Sequence, residues 1–431
     1  VCSSDLLSPI PVIEGSITND TPMDLPPDAL VSLLDGKELS DSSPQFHISP
    51  ESAKKIQDHK LDTKINWIDG SQRFRYVLAT PDISVKDLVG YIDAIKVAKK
   101  GVEMYKIDSY SPGQLLQAKH GIFCIDELPV LDPRKQVALL SVLQEGRYTT
   151  GSYPVIFEPK TVFFATANPI DYTHSGKIIE PLYDRLKSHI QTHYPKTIED
   201  EMQIILQEAK TANCLIPIFV LKILARLVHN ARANPDINQA KGVSVRFGIH
   251  GLELVVGESE RTRAITHKKI PVPRISDMYC LGQIAKFELS EIDDTIENRR
   301  KIFEIMLGDS IKETCLDYVR ELTEANFDSI KQEFSGKTLQ VSQAMIWQNN
   351  QISYSSQLAQ FPKLSELVNL KLEQITLEQA NLVNIVPSNN LIPEQNSKDE
   401  LKAAILELLL DAMYYMTPKI VDKKETGYVA V

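Results

Sequence analysis

Apolar positions along this chain follow two rhythms. Through residue 195, short apolar runs alternate with polar segments containing Gly and Pro; from Thr197 nearly to Glu333, apolar residues recur at helical spacing. Short runs bounded by turn residues predict strands, and a 3.6-residue recurrence predicts amphipathic helices. On this reading residues 10–15, 74–78, 121–125, 161–167 and 188–194 are strands, and 148–157, with Gly151-Ser152 inside, is a β-hairpin. Residues 24–49 are rich in Pro, Ser and Asp and predict loop, after which Ser49-Pro50 caps and starts a short helix. Residues 85–100 and 113–119 predict helices, the first weakened by Gly90. Asp132-Pro133 is an N-cap followed by Pro at the first helical position. It opens a helix on which Val137, Leu140 and Val142-Leu143 share a face, ending at Gly146. The remainder, to Val431, is Leu-, Gln- and Asn-rich, with two or more helices and a polar break near 387–397. The predicted class is α/β, a parallel sheet in the first half followed by a helical second half.

One strand carries a chemical signal. The apolar run 121–125 ends abruptly in Asp126-Glu127. Its Phe, Cys and Ile suit a strand covered on both faces, so the two charges must emerge at the strand's carboxyl edge, where open α/β sheets bind ligands. In nucleoside triphosphatases such an Asp holds Mg²⁺ and a Glu orients the attacking water. The alternative is a strand that simply ends in solvated carboxylates. A second strand, 161–167, ends in Asn168-Pro169. One helix and a hairpin lie between the two, which places Asp126, Glu127 and Asn168 along one sheet edge. An Asn there can hydrogen-bond both a water and a γ-phosphate oxygen, although a turn residue before Pro is a common way to end a strand. Two arginines extend the set: Arg185, after Asp184, and Arg246, near the start of a helix with Ser244 as its cap. Guanidinium groups stabilise charge on a transferring phosphoryl group and can act across a subunit interface. With 47 Lys and Arg residues in the chain, each is also an ordinary candidate for a surface ion pair.

Composition narrows the class without naming a function. The 431 residues are 43% hydrophobic and 24% charged, ordinary for two or three globular domains. A net charge of −10 argues against a general nucleic-acid binder. Five cysteines without CxxC spacing point to a reducing compartment, and Cys124 reads as a small buried hydrophobe. With no span-length apolar run and no secretory signal, the expected location is cytoplasmic, with no membrane partner.

The ordered set IDELP, TANP, PLYDRL, GVSVRFG and PRISD (273–277) resembles the AAA+ ATPases of the magnesium-chelatase and MoxR type. IPVIEGSITND (10–20) and LATPDISVKDLVGYID (78–93) are similar to a magnesium-chelatase-like branch. The resemblance covers residues 7–333. It implies Asp126-Glu127 as Walker B, Asn168 as sensor 1, Arg185 as an arginine finger and Arg246 as sensor 2. It further implies ATP and Mg²⁺ as cofactors, a homo-oligomeric, hexameric ring, and a partner with a von Willebrand factor A domain. The function implied is ATP-driven remodelling, or metal insertion and maturation, of a partner complex. A non-hydrolysing scaffold subunit and a DNA-associated motor are the competing readings.

One departure matters. No GxxxxGK[ST] loop occurs anywhere in the 431 residues. Ser175-Gly176-Lys177 and Ser335-Gly336-Lys337-Thr338 only superficially match it, follow Asp126-Glu127, and read as loops. Residues 1–6 begin with Val and read as a translated sequencing adaptor. The expectation is a chain truncated near Leu7, just downstream of its phosphate loop and lacking a central strand, which leaves unpaired sheet edges and little ATP binding. The expected organisation is 1–6 artefact, 7–195 α/β ATPase core, 196–333 helical lid and 334–431 helical extension.

Overall fold

The computed structural model describes residues 7–36, 48–100, 109–145, 148–149, 156–157, 159–168, 177–211, 213–239, 242–264, 270–290, 294–340, 354–394, 397–424 and 427–431. Residues 1–6, the hairpin tip 150–155 and Ser175-Gly176, all singled out above, lie outside them. The chain divides into two compact units, Val1–Gln191 and Thr192–Val431.

The first unit runs β1 (Ile10–Ile13), α1 (Pro27–Leu34), α2 (Pro50–His59), β2 (Ile65–Ile68), β3 (Phe74–Leu78), α3 (Val85–Val89), β4 (Gly90–Ile92), α4 (Ala94–Lys100), β5 (Tyr110–Pro112), α5 (Gln114–Gln117), β6 (Ile122–Asp126), α6 (Pro133–Glu145), β7 (Tyr148–Thr149), β8 (Ile156–Phe157), β9 (Val162–Ala165) and α7 (Glu180–Arg185). The sheet that positions the site is parallel, in the order β3-β6-β9. Its register sets Tyr76 beside Cys124 and Phe164, and Leu78 beside Asp126. Because side chains alternate across a strand, Val77, Phe123, Ile125, Phe163 and Ala165 fall on one face. They form a core with Leu139 and Val142 of α6 and Leu182 of α7. The other face stays open at its flanks: Tyr76 is 54%, Leu78 47%, Val162 53% and Phe164 50% exposed. A parallel sheet normally carries a layer on each face. β9, expected to be buried, is half-exposed for this reason, whereas β6 is buried because a strand flanks it on each side.

Other expectations met competing physics. Residues 24–49 contain α1, which starts at Pro27 and buries Leu33. Residues 85–100 are not one helix: Gly90, at φ 117°, ends α3 and starts β4, which pairs antiparallel with β5. A Cβ at Gly90 would lie 2.5 Å from the Ser111 carbonyl, so that pairing needs glycine. Residues 188–194 form no strand, since no described strand pairs with them. The hairpin stands, with Tyr148 opposite Phe157. So does the Asp132 cap, whose Oδ1 accepts from the amides of Arg134 and Lys135 at 3.0 and 3.2 Å.

The second unit holds α8 (Ile198–Glu208), α9 (Ile218–Ala233), α10 (Val245–Ser259), α11 (Ile296–Val319), α12 (Glu324–Glu333), β10 (Thr338–Gln340), α13 (Tyr354–Leu358), α14 (Pro362–Ile385), α15 (Lys398–Tyr415), β11 (Val421–Lys424) and β12 (Gly427–Ala430). One hydrophobic core runs from Met202 on α8 to Tyr428 on β12. The strands form an antiparallel sheet in the order β10-β12-β11. Residues 401–415, amphipathic and acidic in sequence and expected to pack on a lid helix or a partner, form α15, which packs on α11 of the expected lid and is buried nearly all round, as a central core helix must be. Its acids find partners inside. Arg274 reaches Glu400 at 2.6 Å and Glu407 at 3.6 Å, and Asp411 accepts from Lys423 at 2.9 Å and the Tyr428 hydroxyl at 2.6 Å. The PRISD segment is thus a docking point for α15: its Ser276 amide donates to Glu407 at 3.1 Å, and its Asp277 pairs with Arg263.

Candidate functional site

β6 ends where its apolar face stops, at Asp126. The following residue, Glu127, takes a left-handed conformation (φ 58°, ψ 47°) and turns the chain into a short 3₁₀ segment, Leu128–Val130. A non-glycine residue held there is strained, and such strain gathers at functional sites. The turn is locked from β9's end: the Glu127 amide donates to Thr166 Oγ1 at 3.0 Å, and the Leu128 amide to the Thr166 carbonyl at 3.0 Å.

Two hydroxyls brace Asp126. Tyr76, on β3, donates to Oδ2 at 2.6 Å. Thr166, on the far side, donates to Oδ1. Each oxygen accepts one of these two bonds, and a carboxylate has about four acceptor sites in all. The bond to Asp126, more than burial, raises the Tyr76 phenol above its ordinary pKa and keeps it the donor. Neither hydroxyl was singled out from the sequence. Thr166 lay inside the TANP motif and could have been found there; Tyr76 is fixed only by inter-strand register.

The fold brings Asp126 and Glu127 to one sheet edge with the segment ending in Asn168, which is exposed two residues beyond Thr166. Arg185 is the last residue of α7 and lines a shallow surface cavity with Glu180, Pro181 and Asp184. Leu182, buried against α6, anchors that helix. Arg246 belongs to the second unit, in the first turn of α10, where Ser244 Oγ accepts from its amide at 3.2 Å. Both arginine side chains are exposed.

The donor set fits Mg²⁺ of the kind delivered with a nucleotide. That ion takes one or two carboxylates and fills its octahedron with water and phosphate oxygens. Asp126 offers one oriented carboxylate, and no group of three or more His, Cys, Asp or Glu side chains suited to an all-protein metal site occurs among the described residues.

Residues 60–186 match the family model of the AAA domain, dynein-related subfamily. The chain is 26% identical over 174 residues, 38% of its length and 50% of the relative's, to the uncharacterized protein YeaC of Bacillus subtilis (strain 168). It thus spans about half the length of the curated relative it matches. Among solved structures it is similar to a complex between subunits BchI and BchD of magnesium chelatase, at 15% identity and TM-score 0.32, over 68% of this chain and 84% of that one. NtrX from Brucella abortus in complex with ADP matches at 15% identity and TM-score 0.32, over 66% of this chain and 62% of that one. At such TM-scores neither structure bears on the roles of individual residues.

Proposed function

We propose, for a chain that belongs to the AAA+ ATPases through residues 60–186, that it is the subunit of a ring whose ATP hydrolysis remodels or matures a partner complex. The observation that carries this is the Asp126-Glu127 pair at the carboxyl edge of β6, with one carboxylate braced by Tyr76 and Thr166 and the other set on a strained turn. Asp126 is read as the Mg²⁺ ligand, and Glu127 as the group that polarises the attacking water. Asn168 orients that water against the γ-phosphate. Arg185, exposed at the end of α7, reaches the nucleotide of a neighbouring subunit, and Arg246 senses phosphate from the helical unit. The ion, when bound with ATP, neutralises charge on the β- and γ-phosphates.

The ring, its hexameric form and a von Willebrand factor A partner rest on the ordered motifs at 126–127, 168, 185 and 246. A cytoplasmic location fits five cysteines without CxxC spacing, and no helix among the described residues is long and apolar enough to cross a membrane. Residues 1–431 contain no GxxxxGK[ST] loop, so we expect them not to turn over ATP by themselves.

The test is Glu127→Gln in the natural full-length protein. Hydrolysis should fall at least about a hundredfold while ATP affinity stays within about threefold, the pattern of a residue that acts on the water and not on binding. Unchanged hydrolysis would remove Glu127 from the mechanism.

A further inference from the structure

Arg232, on the last turn of α9, holds three segments of the second unit at once. Its Nη1 and Nη2 form a bidentate pair with Glu201 in the first turn of α8, at 2.6 and 3.1 Å. Its Nε donates to the Val243 carbonyl at 2.9 Å. Its guanidinium carbon lies 4.2 Å from the centroid of the Tyr194 ring. The Arg232 side chain is 10% exposed and that of Glu201 2%, so this is a largely buried charge pair with every guanidinium nitrogen engaged. Tyr194 also closes on the loop directly. A Cβ at Gly242, where φ is +64°, would sit 2.4 Å from the Tyr194 hydroxyl. The positive φ favours glycine there, and any larger residue would push the Tyr194 hydroxyl aside.

The placement of these segments gives the cluster its meaning. Residues 192–197 are the stretch by which the chain enters the second unit. Residues 242–244 lead straight into α10, whose first turn carries Arg246 and is capped by Ser244. One planar cation therefore couples the entry segment, through Tyr194, to the loop that aims Arg246. A lysine keeps the charge but cannot reproduce three directed contacts and a stacked ring.

We infer that Arg232 is a positioning residue for Arg246, transmitting the placement of the entry segment 192–197 to the phosphate-sensing arginine. The inference rests on the reading of Arg246 given under Proposed function. A double-mutant cycle on steady-state ATP hydrolysis by the natural full-length protein tests it, using Arg232→Gln, Arg246→Ala and the pair. Arg232→Gln should lower kcat/KM for ATP about tenfold, and Arg246→Ala at least as much. In the Arg246→Ala background, Arg232→Gln should add less than about twofold. Losses that multiply would show that Arg232 acts through general folding and would overturn the inference. An Arg246→Ala protein that hydrolyses ATP like the wild type overturns the reading of Arg246 itself, a result distinct from multiplied losses. Because Arg232→Gln leaves Glu201 buried, Tyr194→Leu provides a second arm that keeps the ion pair and removes the stacked ring. It should lower kcat/KM about threefold, and only when Arg246 is present. The same loss with and without Arg246 counts against the inference.

Discussion

The Tyr76 phenol reaches from β3 to Oδ2 of Asp126 at 2.6 Å, so the hydrogen bond joins side chains two register positions apart on neighbouring parallel strands. Thr166 holds the other oxygen from β9. The carboxylate is thereby fixed from both sides before any ion arrives. Partners of this kind tune metal affinity by about ten- to a hundredfold. Tyr76→Phe keeps the ring and removes the donor. In the natural full-length protein the Mg²⁺ concentration for half-maximal hydrolysis should rise about tenfold, at unchanged saturating rate. The melting temperature should hardly move, since the ring is half-exposed. A Mg²⁺ titration that superimposes on the wild type would disprove the bracing role.

The opposite end of β6 carries a buried ionic cluster. Lys119 Nζ lies 3.2 Å from Asp20 and 2.9 Å from Asp24, and Asp24 also meets His120 at 2.8 Å and Lys160 at 2.9 Å. Burial alone would raise both carboxyl pKa values. For Asp24, His120, Lys119 and Lys160 outweigh it; for Asp20, Lys119, Ser49 and Ser52 do, and both end below the ordinary 3.8. A depressed folded-state pKa gives stability that is present above the unfolded value and is lost as pH falls through the folded one. The first unit should therefore lose stability as pH drops below 3.8. Asp24→Asn should shrink that acid dependence and cost about 3 kcal/mol at neutral pH, because Lys119 loses a buried partner. Urea unfolding at about pH 7 and about pH 3 measures both effects.

Arg274 is the matching buried ionic centre of the second unit. It lies 2.6 Å from Glu400 and 3.6 Å from Glu407. Arg274→Met strands two acids in the core and should cost about 3–5 kcal/mol. Adding Glu400→Gln and Glu407→Gln should return part of that loss, since buried pairs replaced together are far cheaper than pairs broken singly. Thermal unfolding of the three-residue variant below that of Arg274→Met would contradict this account.

The open sheet face makes a further prediction. Val162 and Phe164 are 53% and 50% exposed beside half-exposed Tyr76 and Leu78. Exposed apolar area on that scale binds hydrophobic dyes and drives association. Val162→Thr with Phe164→Thr should reduce ANS fluorescence and light scattering of the 431-residue chain, with little loss of melting temperature. An unchanged ANS signal would place the sticky surface elsewhere.

What the sequence disclosed and what it withheld divide along a physical line. Helix α6 was legible because its Asp-Pro start and apolar spacing are local. The emergence of Asp126-Glu127 at a strand end was legible because charge cannot continue a buried run. α1 was hidden by the turn-like residues around its three leucines. The 188–194 alternation misled because period-two patterning needs a neighbouring strand to become a strand. Tyr76, Thr166 and Arg232 act through space, across 50, 40 and 11 residues to Asp126 or Val243, so no local pattern marks them. The burial of α15 had the same cause: its acids look like a solvated face until Arg274, Lys423 and Tyr428 are folded onto them.

The common core of the second unit has a practical consequence. Tyr428 on β12 packs in the same cluster as Leu252 and Val255 of α10, the helix whose first turn carries Arg246. Val431, one residue beyond β12, is 61% exposed. A dye attached at position 431 therefore rides on the same body as Arg246. The described cysteines, 124, 214, 280 and 315, are buried or half-buried and compete poorly for a thiol-reactive label. A probe at 431 therefore reports on the helical unit from a position outside its core.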